Sequence, residues 1–381
     1  MKILGISAFY HDSAAALIVD GKIVAAAQEE RFTRIRHDAA FPIEAIKWCL
    51  SDSNLELKDI DKITFYEDPG LKFKRLLKTY VDYFPKTIPL FFNTFLPWYT
   101  KKRDWRKVLS LEFEKGFGVK LVPAVFFNIE HHLSHAASAF LTSNFNEAAI
   151  LIMDGVGEFA STSIWKGSGS KIELVEKVDF PNSIGLLYSA LTYYTGFKVN
   201  SGEYKVMGLA PYGVPRFKEL IKKHLIKIND DGTYQLDMDY FSFQYSNYMT
   251  NDKFHDLFGG PPRTPESQVT QKEMDIARSL QEVTEELVLN LAHRALKKCD
   301  TTNLCLAGGV ALNCVANGKI VNQVTKNIWI QPAAGDAGGS LGSALYYYFS
   351  ELNNTRNIDP SELDMMQGSY LGPSYSSDET E

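Results

Sequence analysis

The segment Glu130-His131-His132-Leu133-Ser134-His135 sets two imidazoles four residues apart. On a helix, His131 and His135 lie one turn apart on the same face and can reach one ion, while His132 points about 100° away. A carboxylate from elsewhere would complete the site, although the spacing alone also fits a polar helix face beside a core. His-Glu-x-x-His is absent, so a zinc-protease reading lacks its general base. Two strand-end motifs offer carboxylates. In Gln331-Pro332-Ala333-Ala334-Gly335-Asp336-Ala337-Gly338-Gly339-Ser340, glycines crowd around Asp336 before a helix begins. In Met153-Asp154-Gly155-Val156-Gly157-Glu158, an apolar strand ends on Asp154 and glycines follow. Acid and glycine at a strand end suit a magnesium–phosphate site; a plain N-cap is the other reading of Asp336. In Leu306-Ala307-Gly308-Gly309-Val310-Ala311-Leu312-Asn313, a Gly-Gly turn leads from a buried strand towards a helix, where a flat nucleoside could lie on the glycine backbone. Tight strand–helix packing would demand the same glycines. Neither G-x-G-x-x-G nor a Walker motif occurs, which weighs against Rossmann and P-loop folds.

The elements that must position these residues follow a repeated plan. Lys2 to Ser7 reads as an apolar strand, followed by a turn holding His11 and Asp12, a strand from Ala14 to Val19, an Asp20-Gly21 hairpin turn, and Ile23 to Gln28. The stretch from Ala149 repeats this with Ala160 to Trp165, a Gly167-Ser168-Gly169 turn, and Ile172 to Val178. Asp-Gly between two β-rich runs is a strong hairpin signal. Helical segments follow each copy: Phe41 to Leu50, His131 to Leu141 and Gly185 to Thr195. Gln271 to Lys298 is an amphipathic helix, with Ile276, Leu280, Val283, Leu287 and Leu291 near helical spacing. The final helix is expected at Leu341 to Phe349. Leu71 to Gly118 differs from its surroundings, with eleven Lys/Arg, four Asp/Glu and twelve aromatic residues, and reads as an insertion. An acceptor pocket, an anionic membrane surface and a solvated face with aromatics packed inward are its three readings. From Pro360 onward there are five acidic residues and no basic one, which reads as linker or arm.

The chain has 381 residues, 45% hydrophobic and 23% charged, enough for one large or two medium domains. A net charge of −6 argues against nucleic acid as the main partner. Four dispersed cysteines without a C-x-x-C pair fit a reducing cytoplasm, and no run approaches the roughly 20 apolar residues of a membrane helix.

Taken in order, these motifs resemble the NodU/CmcH-type O-carbamoyltransferases and, more distantly, the Kae1/TsaD proteins of tRNA threonylcarbamoylation. The segments that carry the resemblance are Ser7-Ala8-Phe9-Tyr10-His11-Asp12-Ser13, Gln28-Glu29-Glu30-Arg31-Phe32, His131 to Phe140, Met153-Asp154-Gly155 and Gly202-Glu203-Tyr204-Lys205-Val206-Met207-Gly208, then the Gly308-Gly309 and Asp336 segments. The resemblance implies an α/β fold of the actin/hexokinase/Hsp70 (ASKHA) kind, duplicated, with two lobes and a cleft between them. The lobes are expected at 1–148, with the insertion at about 71–118, and at 149–352, whose last helix packs back on the first lobe; 353–381 is the acidic tail. It further implies two half-reactions: a YrdC-like domain makes carbamoyl-adenylate from carbamoyl phosphate and ATP, and the Kae1-like part moves the carbamoyl group to an acceptor hydroxyl. The sequence given stops at Glu381, where that family continues into the YrdC-like domain, so the adenylate is expected from a further stretch of protein or a separate chain. Carried over, His131, His135, Asp154 and Asp336 would hold a divalent metal, iron in this family, with manganese or zinc open to the same donors. His11 with Asp12 would deprotonate the acceptor, or His11 would simply bond backbone in its turn. Gly155, Glu203, Lys205, Gly308, Gly309 and Asn313 would hold the nucleotide. Oligomeric state is open, a homodimer included.

Overall fold

In a computed structural model the described residues are 1–92, 104–359, 361–362 and 364–380. The first sheet is built from β1 (Lys2–Ser7), β2 (Ala14–Val19), β3 (Lys22–Gln28), β4 (Lys62–Phe65) and β5 (Phe126–Asn128). Its spatial order is β3-β2-β1-β4-β5, with the β1–β2–β3 meander antiparallel and β4 and β5 parallel to β1. The second sheet uses β6 (Glu147–Met153), β7 (Ala160–Ser168) and β8 (Lys171–Asp179), then, beyond a small hairpin of β9 (Ile226–Ile228) and β10 (Tyr234–Leu236), β11 (Leu304–Ala307) and β12 (Ile328–Ile330). Its order, β12-β11-β6-β7-β8, is the first sheet's order again, with the same pattern of parallel and antiparallel pairs. The duplication expected from the two strand–turn–strand runs is therefore complete to five strands each. Asp20 and Gly21 both take positive φ, 48° and 81°, as the two-residue hairpin turn between β2 and β3 requires.

Period-2 alternation along the central strands splits the core into three layers. Leu4 and Ile6 of β1 face outward onto α1 (Ile43–Asp52), with Ile63 and Phe65. The outward residues of β6 and β11, Ala149, Leu151, Met153, Leu304 and Leu306, are covered by α5 (Ile184–Tyr194) and α7 (Gln271–Cys299). The inward residues, among them Ile3, Ile150, Ile152, Cys305 and Ala307, close on two helices between the sheets, α4 (His131–Phe140) and α9 (Ala337–Tyr346). Each of these comes from one half of the chain and packs on the other half's sheet: α4 on β6 and β11, α9 on β1, β2 and β4.

Small residues make this middle layer thin. A Cβ added at Gly5 would stand 1.9 Å from the Ser340 carbonyl oxygen, and one at Gly342 would stand 1.9 Å from that of Ser134. The α9 backbone thus lies directly on β1 and on α4. The remaining helices used below are α2 (Pro69–Asp82) and α3 (Trp105–Phe117) of the insertion, α6 (Glu203–Leu209) and α8 (Cys314–Gln323).

Two expectations change, and two strands appear for which there was none. The last helix begins at Ala337, not Leu341, so Asp336 stands at its N-terminal boundary. The stretch read as linker or arm is docked: Leu371 accepts from the Ala26 amide on β3, Gln367 Nε2 donates to the Ile23 carbonyl, and Met366 and Leu371 are buried against the middle layer. Two apolar anchors five residues apart carry no periodicity, which is why this contact is silent in the sequence. Strands β4 and β5, of four and three residues, lie within the first lobe and had no strand signal of their own. Residues 93–103 of the insertion lie outside the described residues. Among the described residues no helix is long and apolar enough to cross a membrane.

Replacing Gly342 by Ala should destabilise the fold by about 1–3 kcal/mol, because two backbones must move apart. Gly318→Ala on α8, where a new Cβ meets nothing within 4 Å, should be neutral or stabilising. Chemical denaturation midpoints of the two variants check this.

Candidate metal centre and its surroundings

The site lies where the carboxyl ends of the parallel strands of both sheets meet, the usual ligand position in α/β proteins. Asp154 follows β6, Gly308 follows β11, His11 lies in the turn after β1, and Asp336 follows β12. Helix α4 crosses this point and presents His131 and His135 on one face, with their Nε2 atoms 3.1 Å apart. Asp154 Oδ2 lies 3.1 Å from His131 Nε2, and Asp336 Oδ1 lies 3.7 Å from the Nε2 of both histidines. One donor atom from each of the four residues falls within 4.8 Å of every other.

This donor set fits a first-row divalent ion. Donors about 2.1 Å from one ion and about 90–110° apart stand roughly 3.0–3.4 Å from each other, close to the observed spacings. Two imidazole nitrogens aimed at each other would otherwise compete for one proton, and two imidazoles with two carboxylates suit Fe, Mn or Zn better than Mg. His131, His135 and Asp336 are buried. His132, as its helical position dictates, points away: its Nδ1 meets the Ser163 hydroxyl at 2.7 Å, and burial together with His131 pushes its pKa down to about 3.

The electrostatics are those of a pocket that wants positive charge. Burial alone would lower the pKa of His131, but Asp336, Asp154 and Glu158 together raise it to about 9. Burial alone would raise both carboxyls, yet the imidazoles hold Asp154 well below its usual value and Asp336 below it. Glu158, which had no role in the sequence reading beyond its place in the strand-end motif, is buried and accepts from the His131 amide at 2.9 and 3.0 Å and from the Asp68 amide at 2.6 Å. It therefore caps the N-terminus of α4 and fixes the backbone of His131. Burial pushes its own pKa up to about 7. Tyr66, fully buried, sets its ring edge-on to His131 with centroids 5.4 Å apart.

His11 adjoins this centre, its Nε2 3.7 Å from Asp336 Oδ2. Its Nδ1 meets Asp12 Oδ2 at 2.8 Å, and the other oxygen of Asp12 meets His37 Nδ1 at 2.7 Å. Asp12 thus orients His11 and is itself held by His37, whose backbone amide is in turn held by Glu30 at 2.8 Å. Burial lowers the His11 pKa, but Asp336 and Asp12 outweigh it and raise the value to about 9. A cation held by Asp336 would offset that negative charge and return the imidazole towards neutrality.

The six residues expected at the nucleotide divide. Gly308 takes φ +89°, and a Cβ there would stand 2.3 Å from the Met153 carbonyl oxygen, so the turn after β11 must be glycine to pass the end of β6. Gly309 donates its amide to Asp154 Oδ1 at 3.0 Å, tying the glycine turn to the metal-side carboxylate. Gly155 leaves open space on its Cβ side. Lys205 is exposed at the start of α6, its ammonium 5.9 Å from the Phe197 ring centroid. Glu203 is engaged within the protein: it accepts from the Ser189 hydroxyl at 2.8 Å and from the Asn200 and Gly202 amides at 2.9 and 3.1 Å. Asn313 is likewise engaged, in a reciprocal amide pair with Gln281 at 3.0 Å each way while capping α8. Both support the turn that carries them.

Two five-stranded sheets of identical order, two helices between them and a polar site at their shared carboxyl edge define a duplicated α/β protein of the ASKHA class. Within that class the chain belongs to the family described as Carbamoyltransferase N-terminus, whose profile matches residues 2–345. It is 53% identical over 382 residues to an uncharacterized protein of Synechocystis sp., covering 100% of this chain and 62% of that protein. It is 33% identical to the nodulation protein NolNO of Sinorhizobium fredii, covering 97% of this chain and 50% of that one. The chain thus spans between half and two thirds of the length of these two relatives. Among solved structures, HypF of T. kodakarensis aligns with 92% of this chain and 48% of its own at 14% identity and a TM-score of 0.46; the fold class stated here rests on the strand order.

Purified chain offered Fe(II), Mn(II) or Zn(II) should retain metal through desalting. His131→Ala and Asp336→Asn should reduce the retained metal to background, whereas His132→Gln should keep it. Elemental analysis of the three variants beside wild type decides the ligand set.

Proposed function

We propose that this chain carries the acceptor-transfer half of an ATP-dependent O-carbamoyltransferase, moving a carbamoyl group from carbamoyl-adenylate to a hydroxyl. The observation that carries the reading is the convergence of His131, His135, Asp154 and Asp336 beside an Asp12-oriented His11, in a chain of the carbamoyltransferase family. The adenylate would be made from carbamoyl phosphate and ATP by a YrdC-like domain or chain.

In this reading the four donors would hold a divalent ion, iron by family resemblance, which would supply Lewis-acid polarisation of the carbamoyl donor. The backbone turns at Gly155 and at Gly308-Gly309 let the nucleotide approach closely, and Lys205 meets its phosphate charge. His11 Nε2 takes the acceptor proton, Asp12 steadying the imidazole through Nδ1. The acceptor oxygen forms a bond to the carbamoyl carbon; the bond from that carbon to the phosphate oxygen breaks, and AMP leaves with the electron pair. Glu158 keeps the end of α4 fixed while charge shifts beside it.

Metal-loaded chain mixed with synthetic carbamoyl-adenylate should release AMP faster when a suitable hydroxylated acceptor is added, with the carbamate ester as co-product. His11→Ala should slow acceptor-dependent release by about 10²–10⁴-fold while metal content is unchanged. Formation of ADP from ATP and acceptor, with no ester from carbamoyl-adenylate, overturns the proposal in favour of phosphoryl transfer.

A further inference from the structure

A cavity of about 210 Å³ lies beside Tyr10, between the end of β4 and the two insertion helices α2 and α3. Its floor is Phe9, Phe65, Trp105 and Leu109, with the Phe65 and Trp105 rings stacked at 5.9 Å and 18°. Tyr10 also lines it and is 51% exposed as a residue. Its two charged lining residues, Glu67 and Lys72, neutralise each other at 2.6 Å, and the Lys72 ammonium also sits 5.4 Å from the Tyr10 ring centroid.

Two features link this cavity to the metal centre. Side chains alternate along the end of β4: Phe65 and Glu67 line the cavity, whereas Tyr66 between them turns to the ring of His131. On the other wall, Tyr10 and His11 are consecutive, with ring centroids 4.4 Å apart, and His11 reaches Asp336. A group seated in the cavity and extending past Tyr10 would therefore present itself to His11.

We infer that this cavity is the acceptor subsite and that it takes a hydroxylated aromatic or compact alicyclic ring in preference to a polyhydroxylated sugar. The word acceptor rests on the carbamoyl-transfer reading above; the choice of ring rests on the cavity alone. A void of about 150 Å³ lined by apolar side chains accommodates benzene, so this volume suits a ring bearing a short substituent. Stacked aromatic faces reward a flat apolar ligand. A sugar would bring several hydroxyls to a wall formed mostly by Phe9, Phe65, Leu76, Trp105, Val108 and Leu109, and each hydroxyl beyond the reach of Glu67, Lys72 or Tyr10 costs binding. A charged substituent on the ring would meet both signs at once at Glu67 and Lys72, so the pair favours neither a carboxylate nor an ammonium.

Calorimetric titration of the full chain with 2-phenylethanol and with methyl glucoside, without nucleotide, tests the subsite separately from the chemistry. The ring alcohol should bind and the sugar should bind at least 10-fold more weakly. Val108→Phe, which fills the cavity from α3, should weaken the ring alcohol at least 10-fold while metal retention stays at the wild-type level; Leu76→Phe, filling it from α2, provides the same test if the first variant does not fold. Equal or tighter binding of the sugar overturns the inference, as does ring binding untouched by a folded filling variant or no ring binding at all. Ring binding without transfer from carbamoyl-adenylate would leave the subsite standing and sink the transfer reading alone.

Discussion

Ser134 and Ser340 offer their carbonyl oxygens to positions where any side chain larger than hydrogen would collide, at Gly342 and at Gly5. That double contact brings α9 against α4 on one side and β1 on the other with no side-chain layer between. The Thr64 and Ser343 hydroxyls, 2.8 Å apart, tie α9 to β4 within the same layer. Because backbone meets backbone, the relative heights of the elements are fixed to within the tolerance of van der Waals contact. Asp336 sits at the boundary of α9, the two histidines on α4 and His11 just after β1. The distances at the metal centre are therefore set by glycines at a distance from it.

The second constraint is charge. Three carboxyl groups, from Asp154, Asp336 and Glu158, surround His131 in a space largely closed to water. Such a group of acids is costly to bury unless positive charge accompanies it. In the protein alone the compensation comes from protonated imidazole and from the amide end of α4, and the Gly309 amide adds a fixed dipole to Asp154. The same surroundings suit a divalent cation, and His11 is poised one contact further out. The cavity on its far side is apolar, so the charged and the apolar parts of the cleft meet at the Tyr10–His11 pair.

Most of this arrangement was legible where burial imposes a strict pattern. Strands β1, β2 and β6 show as apolar runs buried on both faces, helix α7 shows its 3.6 period, α4 its histidines one turn apart, and Asp20-Gly21 marks its turn by chemistry. Strands β4 and β5 were not legible: they are no shorter than β11 and β12, but no glycine-bearing strand-end motif follows them, and their pairing is a long-range event. The four metal-side residues were recognisable as motifs, and their meeting follows from the duplicated sheets. Glu158 and Tyr66 escaped notice: a carboxylate capping a helix from another segment leaves no local spacing, and a buried tyrosine looks like any core residue. Glu203 and Asn313 show the converse. Each stands within a recognisable motif and also makes hydrogen bonds to neighbours that only the folded chain supplies.

Helices α4 and α9 are exchanged between the halves, each seated on the sheet that the other half builds. Neither half can therefore bury its own inner sheet face by itself, and the two behave as interlocked pieces. A nick in the connecting segment would leave fragments that stay associated through two crossed helices. During synthesis the first sheet must wait, with its inner face uncovered, until the residues of α9 emerge some three hundred positions after β1. That exposed apolar face makes the nascent first half a natural client for chaperones. It also means that the metal-side cluster completes only when nearly all of the described chain has folded.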